Sequence, residues 1–249
     1  MKREKLILGI VLFVLGFAGV LSLLSMDFKL PAEVAELVAE KFTPMQFKLV
    51  TLINPTVLLI VCIVGGLFLH EKAGLDVPVI KSIIRGERVQ NIKSILLFGV
   101  VGGIVSGLLI ELVKMVYMPV IPSEFTELSN SIKYTLAARF LYGGITEELL
   151  LRFGLMTLIV WLATKINKSK DDSNYWIGIG LSAVIFAFGH FPVVFQSVES
   201  PSMILLTYIL LGNSIGGVAF GWLYWKKGLE AAVIAHIFAH VAMVFAGLL

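Results

Sequence analysis

Charge is scarce in this chain. Only 15% of its 249 residues are charged and 58% are apolar, whereas soluble domains run near 45–50% apolar and about 25% charged. That shortage excludes an ordinary water-soluble domain, and a mean hydropathy of +0.94 requires lipid to receive the excess. Cysteine is almost missing: Cys62 is alone, in the middle of an apolar run, so no disulfide framework exists and cysteine usage says nothing of redox compartment. A basic patch is also lacking. The net charge of +3 is spread over loops, which argues against a nucleic-acid partner. Internal repeats and low-complexity tracts are absent, which weighs against an inverted-repeat transporter. The start, MKREK before an apolar run, has no small-x-small cleavage site ahead of Asp27. The run from Leu6 to about Met26 is longer than the 7–15-residue core of a secretory signal. It reads as a retained first span, with the mature protein beginning at Met1.

What the chain does have is long apolar runs. A crossing needs roughly 20 mostly apolar residues, and suitable segments fall at about 6–26, 49–69, 95–118, 144–164, 175–192, 203–224 and 229–248. The expected fold class is therefore all-α: a polytopic integral-membrane helical bundle of about seven to eight transmembrane helices, in a single transmembrane domain over 1–249. Residues 131–143 are either an eighth element or a broken extension of the fourth span, with Gly143-Gly144 as the break. Between the first two spans, Val34, Leu37 and Val38 alternate with Glu33, Glu36 and Glu40. That pattern predicts an amphipathic surface helix.

Basic residues cluster in alternate loops: Lys2, Arg3 and Lys5; Lys72, Lys81, Arg85, Arg88 and Lys93; Lys165, Lys168 and Lys170; Lys226 and Lys227. With seven spans all four clusters share one side, which the positive-inside rule assigns to the cytoplasm. The opposite loops carry Lys29, Lys41, Lys48 and Lys133 along with several acids.

Polar groups inside these spans are the candidates for chemistry, since an Asp, Lys or Arg near the centre of a span costs at least ~2.5–3.5 kcal/mol. The fourth span opens GGITEELLLRFGLMTL. Glu148 and Arg152 are four apart on one helical face and can pair. Glu147 is turned about 100° away on an α-helix. Without a local countercharge it is free to accept a proton, the task of a general base. The plainer reading is a structural Glu–Arg pair at a helix end. The fifth span ends SAVIFAFGHFP, and a histidine such as His190 at that boundary is most often a packing residue. In the seventh span, LEAAVIAHIFAHVAMVF, His236 and His240 lie one turn apart on one face, which packing alone explains poorly. His70, beside Glu71 at a span end, needs only an interfacial role.

In order, Glu147-Glu148-x-x-x-Arg152, Phe186-x-x-x-His190, and His236 with a polar residue four on resemble the CAAX protease and bacteriocin-processing (CPBP) family, which includes the Rce1-type prenyl endopeptidases. The stretch GGVAFGWLYWKKGLEAAVIAH, Gly216 to His236, is similar to the glycine-containing segment before that family's last motif. The resemblance covers about 143–240, the expected catalytic core. It implies an intramembrane endopeptidase in which Glu147 and His190 activate water, while His236 and the residue four on stabilise the oxyanion. Glu148 with Arg152 would fix the position of Glu147, and Phe186 would pack beside His190. Position 240 departs from the prenyl endopeptidases, which commonly carry Asn there. An imidazole also donates a hydrogen bond, so the oxyanion role survives.

Histidine binds metal as well, so zinc held by Glu147, His190, His236 and His240 is an alternative. Against it, the His-Glu-x-x-His signature is missing because Ile237 follows His236, and a ligating Glu147 would be lost as base. No cofactor is therefore favoured. The expected partners are the lipid bilayer and a membrane-associated or lipidated peptide. The compact length and short loops suggest the cell membrane of a prokaryote. A non-catalytic immunity or scaffold protein of the same fold is the second reading, and a proton-relaying transporter the third. Elsewhere, Glu111 and Lys114 are expected to pair or to face the membrane boundary, and Asn213 and Ser214 to hydrogen-bond between helices. One tension remains in the span boundaries. Glu147 and His190 fall toward the outer ends of their helices and His236 near a cytoplasmic end, with 131–143 the place where a boundary error would reconcile them.

Overall fold

Every backbone polar group in lipid must find its partner within the segment, which leaves the helix as the element for these apolar runs. A computed structural model describes residues 2–28 and 32–247. Met1, Lys29 and the last residue of the expected seventh span lie outside the described residues. Among the described residues seven helices are long and apolar enough to cross a membrane: Arg3–Ser25, Pro44–Leu69, Ile92–Tyr117, Ala138–Asn167, Asp172–Ser197, Met203–Lys227 and Leu229–Ala246. The amphipathic helix forms over Ala32–Lys41 and leaves Leu37 exposed. The only strands among the described residues are a two-residue antiparallel ladder, Asp27–Phe28 with Ile132–Lys133.

The 131–143 stretch is not an eighth crossing. Ser131 closes a polar helix, Pro122–Ser131, and from Ala138 onward the chain already belongs to the fourth span. Gly143-Gly144 does not break it. The helix instead widens, π-helical over Ala138–Glu147 and Leu149–Met156, and becomes a regular α-helix at Thr157–Asn167. This earlier start removes the boundary tension. Glu147 lies nine residues inside Ala138, and His236 ten residues inside Ala246, on an antiparallel neighbour. Both therefore sit at a similar depth.

The basic loops meet at one end of the bundle. Lys5 and Lys81 both pair with Glu71, at 3.4 and 3.2 Å, and Arg85 pairs with Glu4 at 2.5 Å. Lys227 Nζ donates to Ser94 Oγ at 3.0 Å, and Tyr175 stacks on Trp225 with ring centroids 4.6 Å apart. At this end Glu230 Oε1 accepts from the N–H groups of Val79 and Ile80, both at 2.9 Å. That bond ties the start of the seventh span to the short helix Pro78–Arg85.

Gly103 and Gly107 of the third span set the axial position of the seventh. A Cβ added at Gly103 would strike the carbonyl of Ala235, and one at Gly107 the carbonyl of Ala239. Small residues at this spacing let two backbones approach closely where no hydrophobic drive joins helices in lipid. His236 and His240 follow those alanines by one residue, about 100° further round the helix, and so face the fourth span.

Three expectations about other polar residues are answered here. Lys114 does pair with Glu111, at 2.9 Å. Asn213 donates to the carbonyl of Ile209 in its own helix at 2.9 Å, not across helices. His70 is buried, 1% exposed, rather than interfacial, because its Nδ1–H reaches Gly66 O at 2.8 Å and its ring lies 5.4 Å from that of Phe153. Burial is the main cause holding its pKa below the ordinary 6.5, with Lys81 acting the same way and the Gly66 bond, Glu71 and Asp76 opposing. The unfolded chain thus binds this proton more tightly than the folded one. The stability His70 contributes is present above pH 6.5 and is lost as pH falls through the lower folded value. The thermal midpoint in detergent should drop between about pH 7.5 and about pH 5.5. His70→Asn keeps a donor for Gly66 O without a titrating ring, and should flatten that drop.

Candidate active site

The wide turn of the fourth span separates successive side chains by less than the about 100° of an α-helix. Two adjacent acids can then address one partner. Glu148 Oε1 accepts from His236 Nδ1 at 2.8 Å, while Glu147 Oε2 lies 3.9 Å from His236 Nε2. One imidazole lies between both carboxylates, while Glu147 forms no ion pair with Arg152 among the described residues. Glu148 is fully buried and Glu147 retains 19% side-chain exposure, so of the two only Glu147 reaches the surface of the bundle.

Arg152 neutralises Glu148, with Nε 3.3 Å from Oε2 and both side chains at 0% exposure. Its Nη2 donates to Gly217 O at 3.2 Å. The guanidinium carbon lies 5.3 Å from the Phe186 ring centroid and 5.6 Å from that of Phe220. The pair predicted from four-residue spacing is thus present, and it is enclosed by aromatic faces and a backbone carbonyl rather than by water.

His190 follows the helix Asp172–Gly189, where Pro192 opens the next short helix. Its Nδ1–H donates to Phe186 O at 2.9 Å. In the neutral ring this leaves Nε2 as an acceptor. Phe186 lies edge-on between two imidazoles, 4.8 Å from His190 and 6.2 Å from His236. The spacing Phe186-x-x-x-His190 therefore does bring the two rings into contact. His190 forms no ion pair with Glu147 among the described residues.

His240 stacks on His236 with centroids 4.9 Å apart, and Phe220 stacks on the opposite side at 4.6 Å. His240 Nδ1 is buried without a hydrogen-bond partner. Its Nε2 occupies space that a side chain at Gly143 would take: an added Cβ there would lie 2.7 Å away. Gly143→Ala should displace this ring while leaving the helix intact. The expected result is a loss of about 10²-fold in turnover, with a thermal midpoint close to that of the unsubstituted chain.

Of the four residues of the zinc alternative, Glu147 and His240 both lie against His236. Among the described residues no group of three or more His, Cys, Asp or Glu side chains is placed to hold a metal ion. Phe220 and Gly143 were not anticipated from the sequence. Phe220 falls within the Gly216–His236 segment, but no spacing rule linked it to His236. Gly143 does not break the helix but gives clearance to the His240 ring.

Glu147, Glu148, Arg152, Phe186, His190, His236 and His240 all lie within residues 129–242. That segment matches the family model described as type II CAAX prenyl endopeptidase Rce1-like, and it contains the expected 143–240 core. No curated protein and no solved structure matches the chain.

Proposed function

We propose that this chain, whose residues 129–242 are a domain of the Rce1-like family of type II CAAX prenyl endopeptidases, is an intramembrane endopeptidase with 143–240 as its catalytic core. Its substrate is a membrane-associated or lipidated peptide. The observation that carries this reading is the convergence of Glu147 and Glu148 on His236, with Glu148 alone neutralised by Arg152.

Two carboxylates and one guanidinium leave one negative charge, so one further proton makes the buried cluster neutral. Its two places are His236 Nε2 and Glu147 Oε2, 3.9 Å apart. With the proton on His236, Glu147 is an ionised base facing the open side of the site, and the Nε2–H is a donor. Water held by Glu147 and the Nε2 of His190 attacks the peptide carbonyl as Glu147 takes its proton. The oxyanion that forms is stabilised by His236, whose charge Glu148 supports, and by His240. Collapse breaks the C–N bond, and the proton on Glu147 goes to the leaving nitrogen. The products are one new carboxylic acid, which ionises by giving its proton to water, and one new amine. Metal has no step in this sequence.

The test is a comparison of peptides released from cells expressing the unsubstituted chain or Glu147→Gln at matched membrane levels. Peptides that disappear with the substitution identify the substrate. Identical profiles would replace proteolysis with a scaffold or immunity role for the same fold.

A further inference from the structure

We infer that the first span positions the two carboxylates: the Thr146 hydroxyl, bonded to the Gly16 carbonyl, fixes the direction in which the fourth span presents Glu147 and Glu148 to His236. The inference rests on the proteolytic reading above. It extends the working parts of the site to a helix outside the family segment 129–242.

Two adjacent acids reach one imidazole because the fourth span is wound wide over Ala138–Glu147 and Leu149–Met156. Such winding is rare and mostly confined to single turns, and Gly143-Gly144 lends it no stiffness. A turn of this kind has to be held from outside. Thr146 supplies the hold. It is fully buried, and its Oγ1–H donates to Gly16 O at 2.7 Å, while Leu141 O of its own helix lies farther off at 3.4 Å. Ser22, Ser106 and Ser182, also buried, instead return their hydroxyls to carbonyls three or four residues back in their own helices. That is the ordinary local choice of a helical Ser or Thr, and Thr146 departs from it.

Two glycines let the helices come this close. A Cβ added at Gly19 would strike Thr146 Oγ1 and the carbonyl of Leu141, and one at Gly16 would lie 2.8 Å from Leu149 Cδ1. Thr146 and Leu149 are three apart and share the face turned to the first span. Glu147 and Glu148, between them in sequence, meet His236 of the seventh. The segment is thus gripped by one helix while its acids address another. Thr146 is a positioning residue, acting through the turn that carries the acids.

The experiment uses the full chain in detergent with a fluorogenic S-farnesylated peptide as probe. Thr146→Val removes the hydroxyl at nearly constant volume, and Gly16 O keeps its intrahelical donor, so the melting point should stay close to that of the unsubstituted chain. Turnover should fall about 10–100-fold, the scale of a misplacement near 1 Å, with KM little changed. Thr146→Ser, which keeps the hydroxyl, should restore most of it. Gly9→Ala crowds only the tip of Leu67 elsewhere on the first span and should leave turnover unchanged. A second readout needs no hydrolysis. It is the proton resonance of His236 Nδ1–H in its 2.8 Å bond to Glu148 Oε1, assigned by its loss in His236→Gln. Thr146→Val should move it upfield as that bond lengthens, and Thr146→Ser should return it. An unmoved resonance in Thr146→Val overturns the inference, as does unchanged turnover by a chain that cleaves the probe. So does a serine variant as impaired as the valine one. Loss of fold in Thr146→Val, or a Gly9→Ala variant equally slow, would reduce the contact to general packing and overturn it too. If the unsubstituted chain cleaves nothing, the proteolytic reading fails and the resonance alone decides the positioning.

Discussion

Glu147→Gln should lower peptide hydrolysis by about 10²–10⁴-fold, the range a positioned general base contributes, while the protein accumulates and melts as the unsubstituted chain does. The second half of that expectation follows from the site. Glu147 is the carboxylate with 19% exposure, 3.9 Å from its nearest basic atom, so an amide of the same shape leaves no buried charge unpaired. Peptide affinity should change little, because the base acts on water and not on the ground-state peptide. Turnover and binding measured together decide the matter. A large fall in turnover with intact binding and fold identifies a base. A proportional loss of fold would make Glu147 structural, and retained hydrolysis would remove it from the mechanism.

Arg152→Met should have the largest effect on stability. Arg152 and Glu148 are both at 0% exposure, and removing one partner of a buried pair leaves an uncompensated charge at a cost of about 3–5 kcal/mol. Against a typical total of about 5–15 kcal/mol, such a loss should show as poor accumulation and a markedly lower melting point. The change also discards the bond to Gly217 O and two aromatic contacts. Adding Glu148→Gln removes the stranded carboxylate. The double variant should then recover part of the stability, a coupling read directly from a double-mutant cycle. If the two losses simply add, the pair is not what holds this part of the bundle.

Much of this was legible in the sequence because lipid is a severe solvent. Long apolar runs in water-hating company leave few structural options, and Glu148 with Arg152 stood out against that background at a spacing that implied contact. What the sequence did not disclose depends on departures from regular geometry. The about 100° rotation of an α-helix separates Glu147 from Glu148, and only the π-helical turn brings both to His236. The same widening carries the helix through Gly143-Gly144 and back to Ala138, where polar and aromatic residues such as Arg139 and Tyr142 had hidden its beginning. Phe220 and the Gly103–Ala235 contact pair distant segments, and no local pattern encodes them. His70 departs from its pattern for a related reason: a position at a span end suggests water, whereas its carbonyl partner one turn back and the Phe153 ring enclose it.

The seating of the seventh span has a mechanical consequence. Two glycines of the third span bear on its backbone at Ala235 and Ala239, and Glu230 fastens its first turn to the loop helix. A shift by even one residue's rise, about 1.5 Å, would drive alanine methyl groups toward a neighbouring main chain. The two histidines are therefore mounted on a stator. A substrate's scissile bond must travel to them, and whatever opens to admit it has to be sought among the helices that do not share that seat.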